Sequence, residues 1–75
     1  MKGFMKQTSE GWVVGFTEKV GPRPSSDIFQ INHLPLHPDD IPNAVDNTLV
    51  NFEVMTIATG TSEFDVMDMD VAKIV

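Results

Sequence analysis

No stretch of this chain keeps a helical repeat of apolar residues. Short runs rich in Val, Ile and Phe alternate instead with clusters of Gly, Pro, Asn, Asp and Ser. This pattern commits the chain to an all-β fold, because a strand needs only roughly four to eight residues between turns. The first run, "KGFMKQT", passes through "SEG" into "WVVGFTEKV", and the two predict an antiparallel hairpin. Trp12, Val14 and Phe16 share one face of the second run, and Val13, Gly15 and Thr17 share the other. Gly15 has no side chain to pack and predicts a bulge or a sharp coil where a barrel closes.

Further along, "GPRPSS" excludes helix and central strand and predicts an exposed loop. A third strand is expected over Ile28 to Asn32, running out at Pro35. "HPDDIPNAVDN" carries the only helical signals. Pro38 suits a first helical position, Asp39 and Asp40 suit the positive end, and Pro42 and Asn43 interrupt, so a turn or two of helix is expected. "TLVNFEVMTI" is the clearest strand, with Val50, Phe52 and Val54 on the buried face. "ATGTSE" reads as a turn. In "FDVMDMDVAKIV" the apolar phase slips between Val66, Met67 and Ala72, which predicts a bulge or a break into two short strands.

Seventy-five residues without cysteine make one domain, residues 1–75, with no disulfide staple and no thiolate chemistry. A small unstapled chain gains from barrel closure, which removes exposed sheet edges. Five strands with a helical turn between the third and fourth is the chain order of an OB-like Greek-key barrel. An SH3-like barrel is the competing architecture. No apolar run is long enough to span a bilayer, and Met1 to Gln7 lacks the apolar region of a signal peptide. The expectation is a cytoplasmic protein with no membrane partner.

The charge is uneven. Residues 1–25 carry Lys2, Lys6, Lys19 and Arg23 against Glu10 and Glu18, a net of +2, whereas the remainder nets −8, giving −6 overall. An acidic balance opposes phosphate binding in general but leaves a small basic face at the N-terminal hairpin.

In this order the chain resembles the cold-shock domain family. "MKGFMKQ" is similar to the family's opening strand, "EGWVVGF" to its K-G-F-G-F stretch and "DIFQIN" to its V-F-V-H-F stretch. "NTLVNFEV" and "VAKIV" are similar to its fourth and closing strands. The resemblance implies an OB-fold that binds single-stranded nucleic acid by stacking bases on aromatic side chains. Carried over, it makes Trp12, Phe16 and Phe29 the candidate platform; Lys2 and Lys6, from the basic N-terminal hairpin, are the cations that a nucleic-acid binder would use beside it. Glu10, Ile31 and Asn32 stand where the family has lysine, histidine and phenylalanine. "LPLHPDD", "VNFEV" and "AKIV" also resemble, more faintly, small uncharacterised proteins of marine tailed phages, which implies a host-cytoplasm setting.

Trp12 and Phe16 have two readings. A small barrel needs large interior side chains, and the chain has one Trp, five Phe and no Tyr, which favours the core. Exposed, they would form a stacking face. His33 and His37 lie four apart in "HLPLH", but Pro35 and Pro38 oppose the helix that would converge them on a metal, so no metal or other cofactor is expected. Asp68 and Asp70 in "DVMDMD", with Glu63 and Asp65, lack the central glycine of a calcium loop. Ser and Thr occur in no nucleophile-elbow or phosphate-loop context. The expected function is therefore a non-enzymatic binding or assembly module. Met67, Met69 and Ile57 are candidates to bury against a second copy, and single-stranded nucleic acid is the alternative partner.

Overall fold

A computed structural model describes residues 1–19, 29–60, 64 and 66–75. Its elements are β1 (Lys2–Thr8), β2 (Gly11–Lys19), β3 (Phe29–Pro35), a 3-10 helix (Pro38–Asn43), β4 (Thr48–Thr59) and β5 (Met67–Ile74). The strands form one antiparallel sheet in the order β3-β2-β1-β4-β5. Leu36 then bridges Ala72 in parallel, and the His37 N–H donates to the Ala72 carbonyl at 2.9 Å. That contact joins the two outer strands and curls the sheet into a small OB-like barrel, with the helical turn between β3 and β4 as expected.

The inward face follows from register. Met5 pairs with Val14, Val14 with Leu34, Gly3 with Val50, and Phe52 with Ile74. Residues opposite each other share a face. Met5, Val14, Leu36, Phe52 and Ala72 form the buried cluster, and Trp12, Phe16, Leu34, Ala44, Val50 and Ile74 pack against it. This cluster takes one alternate set from each strand, and in β5 Val71, of the opposite parity to Ala72, is fully buried as well. β1 comes close to its neighbours at Gly3, where an added Cβ would lie 2.7 Å from both the Gly15 carbonyl oxygen and Val14 Cγ1.

Three local expectations need correction. The ladder runs unbroken through Gly15, which pairs with Phe4 and His33, so there is no bulge there. β5 is likewise one continuous ladder against β4, from Phe52↔Ile74 to Thr59↔Met67. The slipped apolar phase has another cause: one strand serves two environments. Ala72 and Ile74 face the barrel interior, whereas Met67 and Met69 lie on the opposite face of the hairpin beyond it. β3 runs out at Pro35, as expected, and Leu36 closes the barrel. The helical turn is 3-10 in type and passes through Pro42 to Asn43. Val20, the "GPRPSS" loop, Asp27, Ile28, and Thr61, Ser62, Glu63 and Asp65 lie outside the described residues.

The 3-10 helix is clasped to β5 by Asp40. Its Oδ2 accepts the Ile74 N–H at 2.9 Å, and Lys73 Nζ donates to Oδ1 at 3.1 Å. Burial alone would raise the Asp40 carboxyl, but the Ile74 N–H and the Lys73 ammonium outweigh it, so its pKa is lowered. A depressed carboxylate contributes stability above its unfolded-state value and loses it as pH falls through the folded value. Asp40→Asn is therefore expected to cost about 1–2 kcal/mol at neutral pH. Urea melts at a series of pH values should show the gap between wild type and variant closing below roughly pH 4. A pH-independent gap would contradict the clasp.

β4 and β5 continue past the barrel as a two-stranded arm, and the molecule measures 47 × 29 × 24 Å. No helix among the described residues is long and apolar enough to cross a membrane.

Candidate functional site

On the outward face of β1, β2 and β3 the residue pattern leaves a slot. Gly15 of β2 has Phe4 of β1 opposite it on one side and His33 of β3 on the other. Lacking a side chain, Gly15 becomes the floor between two rings. Adjacent strands sit about 4.8 Å apart, so strands flanking a third are separated by about 10 Å. The His33 ring leans over that floor, its Cδ2 and Nε2 lying 3.3 and 3.4 Å from where a Gly15 Cβ would stand, so it must swing aside for a flat ring to lie against Phe4 over Gly15.

The resulting groove has a volume of about 280 Å³. Phe4, Ile31 and Leu49 are its apolar walls, Lys2 and Lys6 its cations, and Phe16 and Thr17 contribute further lining. Phe4, Ile31 and Leu49 are 47%, 68% and 55% exposed, an apolar cluster left on a surface where water would otherwise select polar groups. The electrostatics run against the whole-chain balance. The net charge is −6, yet among the described residues the groove is lined by two lysines and a histidine and by no carboxylate. Lys6 Nζ donates to Asn47 Oδ1, which holds one cation in place. Asn47 is itself fixed in a left-handed conformation, φ 63°, with its N–H donating to the Met5 carbonyl at 2.8 Å. A second concavity, of about 330 Å³, lies beyond His33 and is lined by Thr8, Ser9, Glu10 and Val13. Glu10 makes that end unfavourable for an anion.

The structure brings Lys2, Lys6 and Phe16 together at the groove. Trp12 is on the inward set of β2, half-buried against the core, so it stands away from those lysines. Phe16 also packs inward, its ring centroid 5.2 Å from that of Phe52. Phe29 is 61% exposed, at the start of β3, and does not line the groove. Phe4, Gly15, Ile31, His33 and Leu49 were not among the sequence candidates for nucleic-acid contact. The signal for them is the alternation in "KGFMK": Lys2, Phe4 and Lys6 share the face opposite Gly3 and Met5.

The two histidines are separated in role. His33 stands on the outward face of β3, whereas His37 caps the 3-10 helix, its Nδ1 accepting the Asp39 N–H at 3.0 Å. The same Nδ1 lies 3.7 Å from Asp39 Oδ2. Among the described residues no group of three or more His, Cys, Asp or Glu converges as metal ligands would. Asp70 is engaged by Thr56, whose hydroxyl donates to Oδ1 at 2.7 Å. Comparison with protein-family models, curated proteins and solved structures finds no match to this chain.

Proposed function

We propose that this chain is a non-enzymatic binding module whose groove over Gly15 takes single-stranded nucleic acid. One base lies between Phe4 and His33, and Lys2 and Lys6 hold the adjoining phosphates. The observation that carries this reading is the conjunction of an apolar, glycine-floored groove with a lining of cations and, among the described residues, no carboxylate, in a chain of net charge −6. The likeness to cold-shock domains and the OB-like barrel support it, although the stacking residues differ from the family's. The cytoplasm is the setting in which such a module would meet its ligand, and the fainter phage likeness would make it a host cytoplasm.

Base stacking contributes roughly 1–3 kcal/mol per base and is tolerant of sequence. With two phosphates neutralised on a single strand, the logarithm of affinity should fall against the logarithm of salt concentration with a slope of roughly −1.4. Fluorescence anisotropy of a labelled oligothymidylate, titrated with protein at several salt concentrations, measures both quantities. Phe4→Ala should weaken binding roughly tenfold. Absence of binding at low salt, a slope near zero, or full affinity in Phe4→Ala would each defeat the proposal.

A further inference from the structure

β4 carries an edge that the barrel does not use. Up to Phe52 that edge is paired: the Phe52 N–H donates to the Met1 carbonyl at 2.8 Å, and the Met1 amino group donates to the Phe52 carbonyl at 3.0 Å. Asn51 points the other way, its carbonyl accepting the Val75 N–H at 3.1 Å beside β5. Backbone groups of alternate residues in an antiparallel strand face opposite edges. Val54, Thr56 and Ala58 therefore direct their N–H and C=O groups to the same side as Phe52, where no described strand continues.

The two edges of the arm differ in charge. β5 presents Asp68 and Asp70, the kind of like-charged edge that resists strand pairing. Val54 to Thr59 reads "VMTIAT", with no charge, no proline and mostly β-branched residues. A two-stranded ribbon is marginal in water by itself.

We propose that the free edge of β4 pairs with the same edge of a second copy, antiparallel about a two-fold axis at Thr56. The register follows from parity and length. Opposed residues must share a face, so the axis falls on a residue rather than between two. The unused stretch runs from Glu53, next to the Met1 contact, to Thr59 at the end of β4, and Thr56 is its midpoint. Thr56 then meets the partner's Thr56, Val54 meets the partner's Ala58, and Met55 meets the partner's Ile57. Glu53 falls beside the partner's Thr59, and Lys73 is already its cross-strand neighbour within the chain. No like charges oppose each other. Self-pairing of β5 about Met69 would instead set Asp68 against the partner's Asp70, which is unfavourable. The paired arms form a four-stranded sheet and join the Met55, Ile57, Met67 and Met69 side chains into one strip.

Sedimentation velocity across the micromolar range tests this. Wild type should pass from monomer to dimer. Thr56→Pro removes the central edge-facing N–H, a change edge strands tolerate, and should raise the dissociation constant roughly tenfold or more. Thr56→Glu sets two carboxylates across the axis, each opposite Asp70 of its own β5, and should do the same; it decides the matter if circular dichroism shows that the proline variant has lost its fold. A wild type that stays monomeric throughout, or a dimer whose dissociation constant a folded variant leaves unchanged, would overturn the pairing.

Discussion

Phe52→Ala is expected to remove about 3–5 kcal/mol of stability, the cost of emptying a large aromatic site in a core that relaxes only in part. Phe52 is fully buried, pairs with Ile74 across the ladder and stacks at a tilt on Phe16. It is the largest fully buried side chain in the cluster that joins β1, β2, β4, β5 and the Leu36 closure. Domains of this size hold only about 5–15 kcal/mol in total, toward the lower end. The variant should therefore be partly unfolded at 37 °C. Urea denaturation followed by Trp12 fluorescence reads this directly, because Trp12 packs against the same cluster. A loss below about 1 kcal/mol would mean that the barrel is not organised around Phe52.

Gly15→Val should do the reverse: leave the fold standing and abolish binding. The Cβ of a residue at this position would meet His33 Cδ2 at 3.3 Å and Nε2 at 3.4 Å, contacts that an exposed ring relieves by a small rotation. Valine suits a strand better than glycine, so stability should change by less than about 1 kcal/mol. Its methyls, however, occupy the floor between Phe4 and His33 and exclude a ring. Affinity for oligothymidylate should fall at least as far as in Phe4→Ala, roughly tenfold or more. Undiminished binding by a folded Gly15→Val would move the ligand elsewhere. Gly3 provides the contrast, since a Cβ there meets the backbone oxygen of Gly15, which cannot rotate away.

These two glycines show how far the sequence carries. Short β runs and their turns gave the strand order, and the "SEG" turn placed the first hairpin. Period-two alternation put Trp12, Val14 and Phe16 on one face but could not say which face water sees. Both faces of the hairpin carry large apolar side chains, Phe4 and Val13 outward, Trp12 and Phe16 inward. The direction of curl decides, and the Leu36–Ala72 bridge sets it between residues far apart in the chain.

Gly15 presented the same ambiguity. A glycine in a strand marks either an irregular backbone or a place kept clear, and only its neighbours Phe4 and His33 tell which. In the sequence His33 stands out only as a metal-ligand candidate with His37; its place beside Gly15 comes from the β2–β3 register. Proline is tolerated at the last position of an edge strand, and β3 is one. The slipped phase of "DVMDMDVAKIV" looked like a bulge because one strand was assumed to have one environment. It has two, the arm and the barrel.

The measurement that bears most directly on the groove is an amide and aromatic NMR titration of the wild type with unlabelled oligothymidylate at low salt. The account predicts shift changes centred on Phe4, Gly15, Ile31, His33 and Leu49, reversed by added salt and absent in Gly15→Val. Changes confined to the β4–β5 arm or to the 3-10 helix, or none at all, would contradict it.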